Sequence, residues 1–175
     1  MKFEVREARL HDCGKLSRMI RATHRAEAEK FHSNLHADLQ ARYFESAFCR
    51  SLFIDDRLAA MGGVIGPELA TAGYVWVALS QEATKYPLSI TKEAKRQLAI
   101  IMNTRRELIT TVMGGDDDAL RFAVFLGFHV SQGDGGDEAF SKEGRVRLTN
   151  YIKNNADLRI PVHDGFVIRM GYHPE

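Results

Sequence analysis

Two groups of residues have types and spacings that could do chemistry. His32 and His36 stand four residues apart, which on a helix places two imidazoles on one face, where a metal ion could bridge them. Neither an HExxH motif nor a third ligand accompanies them, so the sequence predicts no metal site. Asp116–Asp118 open a predicted helix, whose dipole favours carboxylates at that end. Their simplest role is a solvated helix cap, and contact with a ligand is the alternative.

The aromatic, glycine and cysteine residues give weaker indications. Tyr74 and Trp76 lie on a short apolar segment, where packing is a commoner role than a substrate cage. The glycines of 133–136 lack the strand-to-helix context of a phosphate-binding loop, so they predict a flexible loop. Cys13 and Cys49 lie in segments predicted as helices, without CxxC or Cys/His spacing. This indicates two reduced thiols of the cytosolic kind.

The composition is typical of one globular domain over residues 1–175. Of these residues 45% are hydrophobic and 27% charged, so disorder, collagen-like repeats and coiled coil are excluded. The formal net charge of +1 gives no basic excess, and we expect no nucleic acid partner. The first residues alternate charged and apolar side chains, and no apolar run reaches the ~20 residues that span a bilayer. We therefore expect no signal peptide, no membrane partner and a cytoplasmic location.

Hydrophobic periodicity predicts alternating strands and helices in the first half of the chain. Phe3 and Val5 share one face of a half-buried strand, and Asp12 can cap the helix that follows. The predicted elements are a strand over 2–8, a helix through Leu16, Met19 and Ile20, a second helix over 37–48, a hairpin over 51–67 that turns at Asp55 and Asp56, and a buried strand over 73–79.

The second half is predicted to continue in the same way and then to change character. The elements are a helix over 90–103, a strand over 107–113, a helix over 116–126 that ends at Gly127, a strand opening at Phe128, and a last strand over 165–172. Between the last two strands lies a polar, mildly basic stretch, 133–164, far longer than common connections. We interpret it as an inserted arm or lid, available for contact with a second copy of the chain or another protein.

The order of elements resembles the GNAT superfamily of N-acetyltransferases, over essentially the whole chain except 133–164. The most specific match is residues 116–128, which keep the spacing of the family pattern Asn-x-x-Ala-x-x-x-Tyr-x-x-x-Gly-Phe. Ala119 and Gly127–Phe128 match, whereas Asp116 replaces the asparagine and Ala123 the tyrosine. The resemblance implies an α/β (α+β) fold with a central mixed, mostly antiparallel sheet, flanking helices and an insertion before the last strand.

Within that superfamily, residues 75–96 look like the GNAT-like internal virion proteins of short-tailed phages. The central strand is followed there, as here, by a basic-aromatic-Pro step and a long helix, and Lys85–Pro87 supply that step in this chain. This narrower resemblance implies a virion-associated location as the alternative to the cytoplasm. It also implies contact with a phage protein through 133–164.

The resemblance further implies that acetyl-CoA or CoA binds where the central strand ends. In the family, a Gln/Arg-x-x-Gly-x-Gly/Ala loop lets backbone amides approach the pyrophosphate. The matching residues 81–86 contain no glycine, so the loop is degenerate, and a coenzyme is possible but not required. The implied contacts are Val77, Leu79, Ser80, Thr84, Lys85, Tyr86, Ser89, Ile90 and Asp116. The catalytic residues are unknown, because Ala123 cannot protonate a thiolate and only Tyr74, Tyr86 or a water could replace the tyrosine.

Two functions remain open at this point. The first is an acyl-CoA-dependent N-acyltransferase that acts, weakly if at all, on a small amine or a protein amino group. The second is a non-catalytic structural or binding protein, associated with a phage or prophage virion, that has kept the scaffold. The glycine-free loop and the missing tyrosine favour the second, and the retained helix motif favours the first.

Overall fold

The computed structural model of the chain describes residues 1–113, 116–130 and 145–151. Their helices are α1 (Leu10–Met19), α2 (Ala22–Lys30), α3 (Leu35–Glu45), α4 (Pro87–Met102), α5 (Asp117–Phe125) and a 3-10 turn (Glu82–Lys85). Their strands are β1 (Phe3–Glu7), β2 (Ser46–Ile54), β3 (Arg57–Ile65), β4 (Ala72–Leu79), β5 (Glu107–Met113), β6 (His129–Val130) and β7 (Arg145–Tyr151). The chain forms two compact units, Met1–Glu68 with Val75–Ile90, and Leu69–Tyr74 with Thr91–Glu175.

The first unit contains strands in the order β1-β2-β3-β4, with antiparallel β1–β2 and β2–β3 pairs. The predicted hairpin is confirmed, and both turn residues have left-handed backbone, with φ of 46° at Asp55 and 62° at Asp56. Short polar side chains tolerate that conformation, which matches the twist of the flanking strands. The almost completely buried core side chains of this unit include Leu16, Ile54, Met61 and Val64.

The predicted helix over 37–48 is wrong at its C-terminal end. The Asn34 side chain accepts a hydrogen bond from Ala37 N–H at 3.1 Å and so starts α3 two residues earlier. The helix ends at Glu45, and the chain continues as β2, in which Cys49 pairs with Gly63 of β3. Cys49 is therefore a strand residue, because pairing with β3 outweighs the local helical pattern.

The two histidines that stand four residues apart do not share a helix. His32 lies between α2 and α3 with φ of 51°, and His36 lies in the first turn of α3. In the described part of the chain, no three His, Cys, Asp or Glu residues are grouped so that they could hold a metal ion. The same residues contain no helix that is long and apolar enough to cross a membrane.

The second unit contains strands in the order β4-β5-β7-β6. The first three residues of β4 pair in parallel with Glu107–Ile109, and β7 pairs antiparallel with both β5 and β6. Of the five strand pairs with a described register, four are antiparallel, which confirms the predicted mixed, mostly antiparallel sheet. Leu108 and Phe128 are buried in this unit, and Gly127, with φ of 99°, ends α5 as predicted.

Part of the stretch predicted as an inserted arm is a strand of the sheet. All seven residues of β7 pair with β5, from Glu107 opposite Tyr151 to Met113 opposite Arg145. The rest of the predicted arm and the predicted last strand over 165–172 lie outside the described residues. The single-domain interpretation and the role of the arm in protein contact stay predictions.

Candidate functional site

The C-terminal end of β4 is held on both edges within the first unit. On one edge Ser80 N–H donates to the Ala59 carbonyl of β3 at 2.8 Å. On the other edge lie residues 19–21, which join α1 to α2 and form a β-bridge with the strand end; we call them the junction segment. Its two backbone hydrogen bonds run from Arg21 N–H to Leu79 O at 2.9 Å and from Gln81 N–H to Met19 O at 2.8 Å.

The edge of β4 that faces away from β3 has an open position at Val77. Backbone groups alternate between the two edges along a strand, so Val77 and Leu79 face the edge opposite to that of Ser80. The Leu79 carbonyl is occupied by Arg21, whereas the described residues give Val77 no hydrogen-bond partner on that edge. The residue is also 41% exposed. As far as the described residues go, the N–H and C=O of Val77 are therefore available to a ligand.

A rigid 3-10 turn follows the strand because its polar side chains bond to its own backbone. Ser80 is completely buried, and its Oγ accepts from Ala83 N–H at 3.3 Å. Thr84 Oγ1 donates to the Gln81 carbonyl at 2.7 Å, and Tyr86 N–H donates to the Ala83 carbonyl at 3.0 Å. The turn therefore fixes the direction in which the chain enters α4.

The first turn of α4 leaves two amide groups open. Pro87, at the first helical position, has no N–H, and the first intrahelical bond runs from Ile90 N–H to Tyr86 O at 3.0 Å. Among the described residues no acceptor bonds to the amides of Leu88 or Ser89. The positive end of the helix dipole adds to these donors, which together suit an anion such as a phosphate group. Leu88 is 82% exposed, so solvent reaches this helix end.

Lys85, the basic side chain just before this helix end, is already paired. Lys85 Nζ lies 2.8 Å from Glu82 Oε2, and the two side chains are 62% and 23% exposed. An anion that bound to the α4 amides would compete with Glu82 for Lys85 and would meet its negative charge. This pair weakens the anion site that the open amides create.

The first unit brings most of the predicted coenzyme contacts into one strand–turn–helix segment, namely Val77, Leu79, Ser80, Thr84, Lys85, Tyr86, Ser89 and Ile90. The side chains of Ser80 and Ile90 are buried, so they support the segment from inside. Asp116 lies in the second unit and caps α5 by accepting from Ala119 N–H at 3.0 Å, as its simpler interpretation predicted. Contact of any of these residues with a coenzyme stays a prediction.

The structure provides no strong candidate for a general acid at Ala123, Tyr74 or Tyr86. Ala123, which stands at the tyrosine position of the family pattern, is 5% exposed inside α5. The hydroxyl of Tyr74 is 2.6 Å from Thr111 Oγ1 and so is already hydrogen-bonded across the parallel strand pair. Tyr86 is half-buried and lies directly before α4. The identity of the general acid therefore stays open, as it was from the sequence.

Neither cysteine has the environment of a nucleophile. Burial, the largest cause, raises the pKa of Cys49 to about 12, and burial also raises the pKa of Cys13 above its ordinary value. Both thiols therefore stay protonated near neutral pH, and the thiolate is the reactive form. We expect a thiol-specific disulfide reagent at about pH 8 to label neither cysteine in the native chain and both after unfolding in urea. Rapid labelling of one native thiol would contradict this assignment.

Sequence reasoning missed the junction segment and the Leu88 amide. The junction segment was predicted only as the end of a helix, since its pairing with residues 79–81 joins parts of the chain about sixty residues apart. One sequence feature marks it: residues 9–25 carry five basic side chains and one carboxylate. The Leu88 amide depends on where the helix begins, which the sequence placed at Ile90 and the structure places at Pro87.

The structure resembles solved acetyltransferases over most of its length. A GNAT-family acetyltransferase from Streptococcus pneumoniae is 12% identical, with a TM-score of 0.56, and covers 86% of this chain and 100% of its own. An aminoglycoside acetyltransferase bound to ribostamycin and coenzyme A is 14% identical, with a TM-score of 0.62 and coverage of 86% and 94%. A spermidine N-acetyltransferase chimera derived in part from Vibrio cholerae is 12% identical, with a TM-score of 0.64 and coverage of 86% and 96%.

The chain has the GNAT fold. The fold predicted from the residue 116–128 motif and the element order is thereby confirmed. No protein-family model and no curated protein matches the sequence of this chain. At these identities the structural likeness establishes the fold alone, and the closer resemblance to phage virion proteins stays a prediction.

Proposed function

We propose that this GNAT-fold chain is an acyl-CoA-dependent N-acyltransferase that binds its coenzyme weakly. The observation that carries the proposal is the open backbone at Val77 followed, along one rigid turn, by the two open amides at the start of α4. A strand edge and a helix N-terminus in this order can hold an amide-containing arm and a phosphate group. When bound, acyl-CoA would supply an activated thioester for attack by an amine.

The chain's own residues would mainly bind and orient. The N–H and C=O of Val77 can pair with an amide group that extends along β4, as another strand would. The Leu88 and Ser89 amides can donate to phosphate oxygens, with the α4 dipole adding to the attraction. The Ser80 hydroxyl keeps the turn in place, because its bond to Ala83 lies inside the core.

Weak binding follows from three features of the same segment. Residues 81–86 contain no glycine, so side chains occupy the space that a close approach of backbone to pyrophosphate needs. Pro87 removes one amide donor. The carboxylate of Glu82 holds Lys85 and repels an anion. Slow turnover is expected in addition, because Ala123 replaces the tyrosine of the family pattern and has no proton to give to a leaving thiolate.

The acyl acceptor proposed here is a small amine or a protein amino group. The structural neighbours support an amine, since their names include an aminoglycoside and a spermidine acetyltransferase. We propose a cytoplasmic protein, or one associated with a virion if the chain is phage-encoded.

Calorimetric titration with CoA tests the proposed site directly. We expect a dissociation constant on the order of 1 mM, equivalent to about −4 kcal/mol of binding free energy. Glu82→Gln, which releases Lys85, should tighten binding by about threefold, and Lys85→Gln should weaken it by a similar factor, as exposed ion pairs contribute up to about 1 kcal/mol. The two variants form a matched pair because each removes one charge from the same ion pair.

The other outcomes of the titration are equally informative. Absence of binding in the wild-type chain and in Glu82→Gln would overturn the proposal and favour the non-catalytic virion protein. A micromolar dissociation constant would keep the coenzyme site but contradict its weakening by the glycine-free turn.

A further inference from the structure

The stretch of chain that contains the junction segment carries a local excess of positive charge. Residues 9–25 contain one carboxylate, Asp12, and that side chain is completely buried against Arg6 and His11. The five basic residues of the same stretch are Arg9, Lys15, Arg18, Arg21 and Arg25. The whole chain, in contrast, has a net charge of only +1. The excess of positive charge is therefore local.

Three of these cations belong to the junction segment or flank it; we call Arg18, Arg21 and Arg25 the junction arginines. Arg21 bonds through its backbone to Leu79, which is two strand residues, about 7 Å, from the open position at Val77. Arg18 precedes Met19, whose carbonyl accepts from residue 81. The guanidinium of Arg25 lies over the end of α1 and donates to the Ser17 carbonyl at 3.3 Å.

This arrangement is not what stability alone favours. Arg21 and Arg25 stand four residues apart at the start of α2, where Arg25 N–H bonds to Arg21 O at 3.2 Å. Like charges at that spacing repel each other, and cations at a helix N-terminus oppose its dipole. Arg18 and Lys15 are exposed on α1.

We propose that the acyl acceptor is a small amine that also carries an anionic group, a carboxylate or a phosphate, and that the junction arginines bind this group. The inference rests on the proposed acyltransferase function and names the class of its acceptor. Guanidinium groups recognise both anions through paired N–H donors. Polycations would be repelled by the same side chains, so spermidine is expected to be a poor acceptor.

Binding without coenzyme tests the inference separately from the acyl transfer. Calorimetry is performed on the full chain with the acylated product N-acetyl-L-glutamate, with N-acetylethanolamine phosphate, and with N-acetylethanolamine as the neutral control. We expect the two anions to bind at least tenfold more tightly than the neutral compound, a difference of about 1.4 kcal/mol. The comparison of the two anions distinguishes carboxylate from phosphate as the preferred group. Binding should weaken as salt is added, because the contacting charges lie near the surface.

The charge-reversing variant Arg18→Glu assigns the effect to the junction arginines. It should weaken binding of the anions about tenfold and binding of CoA by a clearly smaller factor. Arg106→Glu, an exposed site before β5 in the second unit, makes the same change of net charge and should alter neither affinity. Circular dichroism and the melting temperature verify that both variants are folded.

The kinetic comparison uses acetyl-CoA with L-glutamate, phosphoethanolamine, ethanolamine and spermidine. A higher kcat/KM for the anionic amines, reduced by Arg18→Glu alone, is the expected result. Equal or better use of spermidine, or anion binding that Arg18→Glu leaves unchanged, would overturn the inference while the acyltransferase proposal stands. If the CoA titration shows no binding, the acyltransferase proposal fails and the acceptor inference fails with it, whatever the anion titrations give.

Discussion

Replacing Asp12 by alanine is expected to destabilise the chain by about 3 kcal/mol, the low end of the cost of breaking a buried ion pair. The carboxylate is completely buried and lies 3.3 Å from Arg6 Nη2 and 3.1 Å from His11 Nε2. It also accepts from Ser51 Oγ at 2.9 Å and from Arg9 N–H at 3.0 Å. Alanine would leave these donors without their acceptor. The side chain thus links β1, α1 and β2, which is why we expect its loss to be so costly.

Urea unfolding and the melting temperature measure this effect. A loss of about 3 kcal/mol should lower the melting temperature by roughly 6–12 °C in a chain of this size. The control is Asp38→Ala, which removes an exposed carboxylate from the first turn of α3 and should change the stability by less than about 1 kcal/mol. Equal effects of the two replacements would show that the Asp12 contacts contribute little.

Replacing Gly63 by alanine is expected to cost about 3 kcal/mol, the upper range for overpacking a core. A Cβ at this position would lie 2.5 Å from the Phe48 carbonyl oxygen, 2.9 Å from Ser46 Oγ and 3.1 Å from Trp76 Nε1. The first contact is with backbone, which cannot rotate away. The other two atoms form a 2.9 Å hydrogen bond, from the Trp76 indole to the Ser46 hydroxyl, that the methyl group would disturb.

A second glycine provides a control of opposite sign. A Cβ at Gly14, in α1, would lie 3.5 Å from His36 Nε2, an ordinary van der Waals distance. Gly14→Ala should therefore stabilise the chain by about 0.5–1 kcal/mol, because alanine loses less backbone entropy in a helix. Differential scanning calorimetry of the two variants measures both changes in stability. Destabilisation by Gly14→Ala would contradict the space described at Gly14, and an unchanged stability of Gly63→Ala would contradict the packing described around Gly63.

The local sequence pattern predicted an element correctly where residues within that element decide its structure. The alternation of Phe3 and Val5 predicted β1, and the two aspartates predicted the hairpin with its left-handed turn residues. The carboxylates at the start of α5 and Gly127 at its end predicted the bounds of that helix to within about one residue. These features are decided by backbone sterics and by hydrogen bonds within a few residues.

Elements that depend on distant partners were predicted less well. Residues 46–49 have a helical pattern but belong to β2, because β3 supplies hydrogen bonds and a place to bury Cys49. Residues 145–151 were predicted as part of a polar arm and form β7, whose pairing partner is β5. Strand pairing stabilises a segment only within a sheet that other parts of the chain also form. The sequence of one segment therefore gives little information about its pairing partners.

The candidate site shows the same difference between local features and contacts of distant segments. From the sequence alone came the segment from Val77 to Ile90, its lack of glycine and the absence of the family tyrosine at Ala123. Only the tertiary structure showed that the junction segment pairs with the end of β4 and places arginines beside it. Residue types and short spacings are written in the sequence, whereas contacts between distant segments arise only when folding buries their apolar faces together.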